Sequence, residues 1–281
     1  LIMGYINPAN LQVKRLPFAY AIYNLEVAEV LNKYQPEAAV HIKVDTGMHR
    51  LGVPLTELEQ FITQVQQLPN LKIEGLMSHF ASAKSVQDPL FKKQVQNYKK
   101  ALQIAKKCGL NPKWRHISAT EALLNPNTRQ VISQFTNLAR AGKSLYGYVM
   151  HTKNIHLQPV LTLKTHIAQI KTIRPGDTVG YDGAFTAKKR MTIAILPIGY
   201  NDGVDRRLSN RGMMKFNGIG CPIIGKVSMN ITTIDISQVL NPMINQEVIV
   251  TDNISEWAVI CDTNAHEILI HLDTSTKRII I

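Results

Sequence analysis

Six short stretches set acid, base or anion-binding groups beside glycine turns. Lys43-Val-Asp45-Thr-Gly47-Met-His-Arg50-Leu-Gly52 puts a lysine at the end of an apolar run, an acid beside it, and an arginine on a glycine-opened turn. Alone, that pattern makes either an electropositive pocket wall or a charged surface loop. Ser78-His79-Phe80-Ala81 ends another apolar run with a histidine, suited to be an acid, base, ligand or stacking platform, or a satisfied core residue. In Arg140-Ala-Gly142-Lys143-Ser-Leu-Tyr146-Gly147, the arginine can hold an anion or an electron-rich ring nitrogen. The amides from Gly142 onward can form a phosphate nest. His116-Ile-Ser-Ala-Thr120 adds a hydroxyl able to make one phosphate bond. Val179-Gly180-Tyr181-Asp182-Gly183 and Ile198-Gly199-Tyr200-Asn-Asp202-Gly203-Val-Asp-Arg206 carry tyrosines in glycine-rich loops. Such phenols serve as gates or acids, or sit on a sheet surface. No Cys/His/Asp spacing of metal-binding type occurs, so no metal is expected.

The elements that must position these residues change character midway. In the first half, apolar runs at Phe18–Tyr23, Ala39–Val44, Leu71–Met77, Trp114–Ile117 and Asn137–Arg140 read as strands. Helical spacing fills Leu25–Leu31, Leu55–Leu68, Leu90–Cys108 and the stretch near Thr120–Leu124. Alternation of this kind predicts βαβ units on a parallel sheet. The second half alternates with period two over Leu157–Thr172, Met191–Ile195, Met213–Ile219, Ile223–Ile236 and Glu247–Thr251, punctuated by Gly and Pro. It predicts a mostly antiparallel β domain. The boundary falls around Met150–Asn154, giving domains 1–150 and 151–281. The candidate residues of the first half sit at or just after strand ends, where α/β folds place their sites. A closed (β/α)8 barrel takes roughly 250 residues, and units here run at roughly 30 residues each. Five units do not close such a barrel, so the expected architecture is α/β plus all-β: an incomplete TIM-type barrel followed by the β domain.

Composition narrows the partners. The 281 residues carry 32 Lys+Arg against 20 Asp+Glu, a net charge of +12, with 45% apolar residues. Disorder, collagen and coiled coil are excluded on composition. No run of 18 apolar residues exists, so no membrane span is expected. Cys108, Cys221 and Cys261 lie far apart, which fits a reducing compartment rather than a disulfide framework. No signal-peptide pattern is seen, and a cytoplasmic location is expected. The densest basic cluster, Lys188-Lys189-Arg190, lacks any nucleic-acid-binding motif. A mildly basic solvated surface and an anionic small ligand explain the charge without nucleic acid.

Together the motifs closely resemble the fold-type III, pyridoxal-phosphate-dependent alanine racemases. The matching segments are 43–52, 78–83, 140–147, 179–185, 198–206 and Gly225-Lys-Val-Ser-Met-Asn230, in family order from end to end. The resemblance implies a cofactor site of Lys43, Arg50, His79, Thr120, Arg140, Gly142, Lys143 and His266. Lys43, often carbamylated in the family, would position Arg50 near the cofactor's phenolic oxygen, with Arg50 also facing substrate. His79 would lie against the pyridine ring and Arg140 would bond its nitrogen. Thr120 and the Gly142–Lys143 amides would hold the phosphate. Tyr181 would be a catalytic base reaching the partner's site in a head-to-tail homodimer. Tyr200 would flank the substrate channel and Met229 would face the substrate. The implied activity is two-base interconversion of L- and D-alanine, supplying D-alanine for peptidoglycan.

Some segments depart from the family pattern. The usual Asn-Ser is Ala119-Thr120, the usual Met-Asp is Met229-Asn230, and a usual Tyr-Glu is His266-Glu267. No Lys-Ala-Asn-Ala-Tyr-Gly-type segment bearing the Schiff-base lysine is found. With the count of five units, this leads to the expectation that the chain lacks the N-terminal part of the family and is inactive through truncation. Other readings left open are a racemase for serine or another small amino acid, a non-catalytic or regulatory relative, and a generic anion-binding module.

Overall fold

Parallel pairing in the first half and antiparallel pairing in the second follow the change of period at mid-chain. The computed structural model describes residues 1–148 and 155–280. The expected boundary stretch 150–154 lies outside them. The chain divides into two compact units, one built on Leu1–Leu145 and the other on Tyr146–Tyr148 with Leu157–Ile281.

The first unit opens with a short 3-10 turn, Pro8–Leu11. Strand β1 (Tyr20–Ile22) leads into helix α1 (Leu25–Tyr34), capped by the Asn24 side chain, which accepts from Val27 N. Strand β2 (Ala38–Asp45) pairs parallel with β1 and, at its end, with the short β3 (Val53–Pro54). Helix α2 (Leu58–Gln66) buries Leu58, Phe61, Ile62 and Val65, the single face its spacing allows. Strand β4 (Leu71–Met77) pairs with β2, and β5 (Trp114–His116) pairs with β4. Between them runs helix α3 (Pro89–Lys107), capped by Asp88 and ended at Gly109, whose φ of 72° only glycine adopts freely. Helices α4 (Thr120–Leu124) and α5 (Pro126–Ser133) follow. The sheet order β1-β2-β4-β5, all parallel, gives a barrel-like α/β unit. Its helix-side core joins Val40, Ile42, Val44 and Leu76 of the strands to Leu31, Leu58, Ile62, Ala101 and Ala105 of the helices.

In the second unit, β6 (Leu163–His166), β7 (Gln169–Ile173), the pair β8 (Thr178–Val179) and β9 (Phe185–Thr186), and β10 (Met191–Leu196) precede β11 (Met213–Phe216) and β12 (Ile219–Pro222). Strands β13 (Thr232–Asp235) and β14 (Glu247–Thr251) complete two antiparallel sheets, β13-β10-β7 and β12-β11-β14-β6. Ile167, Ala194, Leu196, Met214, Phe216, Ile234, Val248 and Val250 fill the core, closed by Trp257 of α6 (Ile254–Ile260) and Ile268 of α7 (Ala265–His271).

Several expected strands differ. Asn137–Arg140 is irregular: beside one backbone bond from Asn137 N to Arg115 O, the Asn137 side chain accepts from Arg115 N and donates to Lys113 O, so a bracket at a single residue replaces a strand ladder. Leu157–Thr172 is not one strand. After β6 the chain changes sheets, Ile167 N donating to Gln246 O and Ala168 N to Ile195 O. Met213–Ile219 folds back at Asn217-Gly218, both with positive φ. Only Thr232–Asp235 within Ile223–Ile236 is a strand. Strand β3 and helices α5, α6 and α7 were not read from the pattern.

The core assignment predicts that Ile62→Ala, at a fully buried position, costs about 2–5 kcal/mol. Urea unfolding measures it; a loss below about 1 kcal/mol would place Ile62 outside a close-packed core.

Candidate active site

Strand β2 sorts its side chains by the two-residue period. Val40, Ile42 and Val44 enter the helix-side core, and His41, Lys43 and Asp45 take the opposite face. On that face the carboxyl ends of β2, β4 and β5 bring Lys43, Ser78, His79 and His116 together, with Arg140 arriving from the irregular stretch after α5. The strand ends of a parallel sheet are where such sites form.

Arg140 is the hub. Its guanidinium donates to Nδ1 of His116 in a short contact, to Ser78 O at 2.8 Å, to Ile117 O at 3.3 Å, and meets Nδ1 of His79 at 3.2 Å. Its Nε is buried and has no partner. His116 Nε2 in turn lies 2.7 Å from His41 Nδ1. Burial, joined by the Arg140 charge, lowers all three imidazoles: His41 and His79 to about 4 and His116 to about 3. They are therefore neutral at physiological pH. Burial also draws Arg140 down to about 10, which leaves it a cation. A guanidinium has donors only, so this site presents a fixed cation with one spare N–H amid neutral rings.

Lys43 is buried, and its ammonium donates to Met3 O at 3.1 Å, 6.0 Å from the Tyr23 ring centroid. Burial, then the charges of Arg50 and Arg140, push its pKa down. Its bond is thus to a carbonyl, not to Arg50, which lies exposed on the following loop. That loop is wound round Asp45, whose Oδ1 accepts from the amides of Gly47, Met48 and His49. Gly52 passes so close that a Cβ would lie 2.6 Å from Asp45 N. The loop bearing His79 is held from α3: the Gln94 amide donates to His79 O at 2.9 Å and accepts from Ala81 N at 2.8 Å. Gln94 also reaches the Thr46 hydroxyl, itself 2.7 Å from Ser78 Oγ. Thr120, at the first turn of α4, accepts from Gly142 N at 3.1 Å, and Lys143 opens a 3-10 turn, Lys143–Tyr146. The structure thus brings Thr120 and Gly142 together.

In the second unit, Gly180 (φ 79°) lies against the backbone of Gly225 and Lys226, where any Cβ would clash. This close approach carries Tyr181 on a short 3-10 turn, 66% exposed, with the adjacent Asp182 paired to Lys226. Gly199 meets the chain at Ser228, and Tyr200 N and Asn201 N donate to Ser228 O and Met229 O. Tyr200 and Met229 are thereby side by side and both exposed. Tyr200 also borders a cavity of about 440 Å³ with Arg206 and His271. His266 is exposed in the first turn of α7, beside the Asn264 cap. Among the described residues no cluster of His, Cys, Asp and Glu suits a metal, and no helix is long and apolar enough to cross a membrane.

Sequence reasoning missed His41, Gly75 and Gln94. Each left a signal: a histidine inside an apolar strand, a glycine in mid-strand, and an amide on the apolar face of α3 between Phe91 and Tyr98.

The alanine racemase N-terminal domain model matches residues 1–149 and the C-terminal domain model matches residues 160–280. The alanine racemase of Syntrophobacter fumaroxidans is 34% identical over 264 residues, covering 90% of this chain and 68% of that protein. The crystal structure of the Clostridium difficile 630 alanine racemase superposes with a TM-score of 0.88 at 27% identity, covering 96% of this chain and 73% of that one. The Bartonella henselae alanine racemase with covalently bound pyridoxal phosphate gives a TM-score of 0.79 at 26% identity, over 93% and 72% of the two chains. These matches correct the expectation of a missing N-terminal part: both family domains are represented, and the expectation of inactivity, which rested on that absence, loses its ground. The chain belongs to the alanine racemase family.

Proposed function

We propose that this protein interconverts L- and D-alanine with pyridoxal phosphate, and that the cytoplasmic D-alanine it makes serves peptidoglycan. The observation that carries the reading is Arg140: a buried, partnerless Nε–H on a fixed cation, flanked by neutral imidazoles. An aromatic ring nitrogen with a lone pair fits that donor, and the residues around it fit the rest of the group. When bound, the cofactor withdraws electrons from the substrate's α-carbon and makes its proton acidic.

The chain's own groups take the remaining tasks. Arg140 donates to the ring nitrogen and, having no proton acceptor, leaves it unprotonated. That limits charge delocalisation into the ring and favours return of the proton to the α-carbon over side reactions. His79 would lie against the ring face. Thr120 and the amides of Gly142 and Lys143 hold the phosphate, with His266 as a further donor. Lys43 would position Arg50, whose guanidinium would supply positive charge toward the phenolic oxygen and the substrate carboxylate. Tyr181 would move the α-proton on one face; the base that racemisation needs on the opposite face is the family's Schiff-base lysine, for which this sequence shows no matching segment. Tyr200 and Met229 would border the substrate.

The exposure of Tyr181 on its glycine-held turn supports a head-to-tail homodimer in which each Tyr181 serves the partner's site. Asn230, where the family has an acid, makes the substrate side chain the point to test, by assaying alanine beside serine. Faster turnover of serine would reassign the substrate.

Two outcomes follow. Arg140→Gln lowers alanine racemisation by about 10²–10³-fold in kcat, and the bound cofactor's absorbance changes; an unaltered rate would remove Arg140 from the site. Arg140→Ala and Tyr181→Phe, each inactive alone, regain up to about a quarter of wild-type activity when mixed and reassociated, since a two-fold dimer then has one intact site in each heterodimer. Absence of complementation would rule out the shared site.

A further inference from the structure

We propose that His41, admitted by the missing side chain of Gly75, is a positioning residue that sets the tautomer of His116 and so aims Arg140. The inference rests on the reading of Arg140 as the cofactor's ring-nitrogen partner.

Strand β4 lies between β2 and β5. Neighbouring strands are about 4.8 Å apart, so side chains on β2 and β5 are separated by about twice that. Two imidazoles on these strands can meet only if the middle strand yields its place. Gly75 is the register partner of His41, and a Cβ there would lie 2.2 Å from His41 Nδ1 and 2.5 Å from its Cγ. The His41 ring occupies the space of that absent side chain. It crosses β4 to meet His116 edge-on, with ring centroids 5.0 Å apart and nitrogens 2.7 Å apart. Both imidazoles are buried, so the contact is shielded from competing water.

The proton inventory leaves one arrangement. Arg140 can only donate, so His116 Nδ1 must carry a lone pair. Neutral His116 then bears its proton on Nε2 and donates to His41 Nδ1. His41 accepts there and carries its own proton on Nε2. If His116 held the opposite tautomer, two N–H groups would face each other at Nδ1 and Arg140 would be displaced. With His41 protonated on Nε2, only the Nε2–H form of His116 makes this bond, so His41 adds to the preference that Arg140 imposes. The chain His41–His116–Arg140 thus runs through three segments of the sheet edge to the spare Nε–H. Such supporting partners orient the groups they touch.

The test is side-chain ¹⁵N NMR of histidine-labelled protein at neutral pH, without and with pyridoxal phosphate, beside alanine racemisation. Wild type should show His116 and His41 each as a single Nε2–H tautomer, even before cofactor is added. His41→Leu should leave His116 in mixed tautomers and lower kcat about ten- to a hundredfold with little change in KM for alanine. His41→Asn, which keeps an acceptor near the Nδ1 position, should recover both. Gly75→Ala, with His41 present but displaced, should reproduce the leucine variant. A single Nε2–H His116 in His41→Leu or Gly75→Ala, or a mixed His116 in wild type, would overturn the proposal. The wild-type spectrum decides even if a variant fails to fold. Correct tautomers in a protein that neither binds the cofactor nor racemises alanine would instead overturn the functional reading and leave the relay standing.

Discussion

A guanidinium that can only give hydrogen bonds, held by groups that can only receive them, is the constraint on which the site depends. Arg140 takes two backbone carbonyls and an imidazole lone pair, approaches a second imidazole, and keeps one buried N–H free. A buried charge with several good acceptors is held in one place, because breaking any contact leaves an uncompensated cation. The same burial that raises this cost keeps His41, His79 and His116 neutral. Protonating any of them would set a second positive charge beside the first. The parallel sheet matters here mainly because its carboxyl ends deliver Ser78 O and His116 to one spot.

The second unit meets a different requirement with a different device. The role proposed for Tyr181 asks for a phenol that projects from its support without drifting. Here backbone meets backbone at two glycines, Gly180 against Gly225–Lys226 and Gly199 against Ser228–Met229. These contacts set the loops close against neighbouring backbone while Tyr181, Tyr200 and Met229 stay exposed. The antiparallel sheets beneath supply a fixed base through a core that includes Phe216, Ile234 and Val248.

The charge surplus divides along the same lines. Many surface lysines pair with acids, as in Lys107–Glu59, Lys164–Glu247 and Lys215–Asp252, all substantially exposed. Exposed pairs of this kind contribute little to stability. Lys43 and Arg140 differ: they are withdrawn from water and have no carboxylate partner in the hydrogen bonds they make. Their cost to the fold makes sense where an anionic ligand is to be held.

Much of the architecture was legible in the sequence, because period-two and period-3.6 patterns report which face of a segment is buried. Strands β2 and β4 and helices α2 and α3 follow the apolar spacing within a few residues. The change at mid-chain from parallel to antiparallel pairing was equally plain. Patterning could not reveal where a strand changes sheets, as at Ile167–Ala168, since both sheets want the same alternation. Nor could it show that Asn137–Arg140 is bracketed by a side chain. Motif residues such as Arg140, His79 and Tyr181 stood out because glycine turns mark them. His41, Gly75 and Gln94 did not, because their roles arise from register across neighbouring strands and from packing of α3. The sequence by itself determined which residue types face inward and which groups the turns present. Only the tertiary structure decided that an imidazole on β2 meets one on β5 across a glycine, because that distance is set by strand pairing and appears in no local pattern.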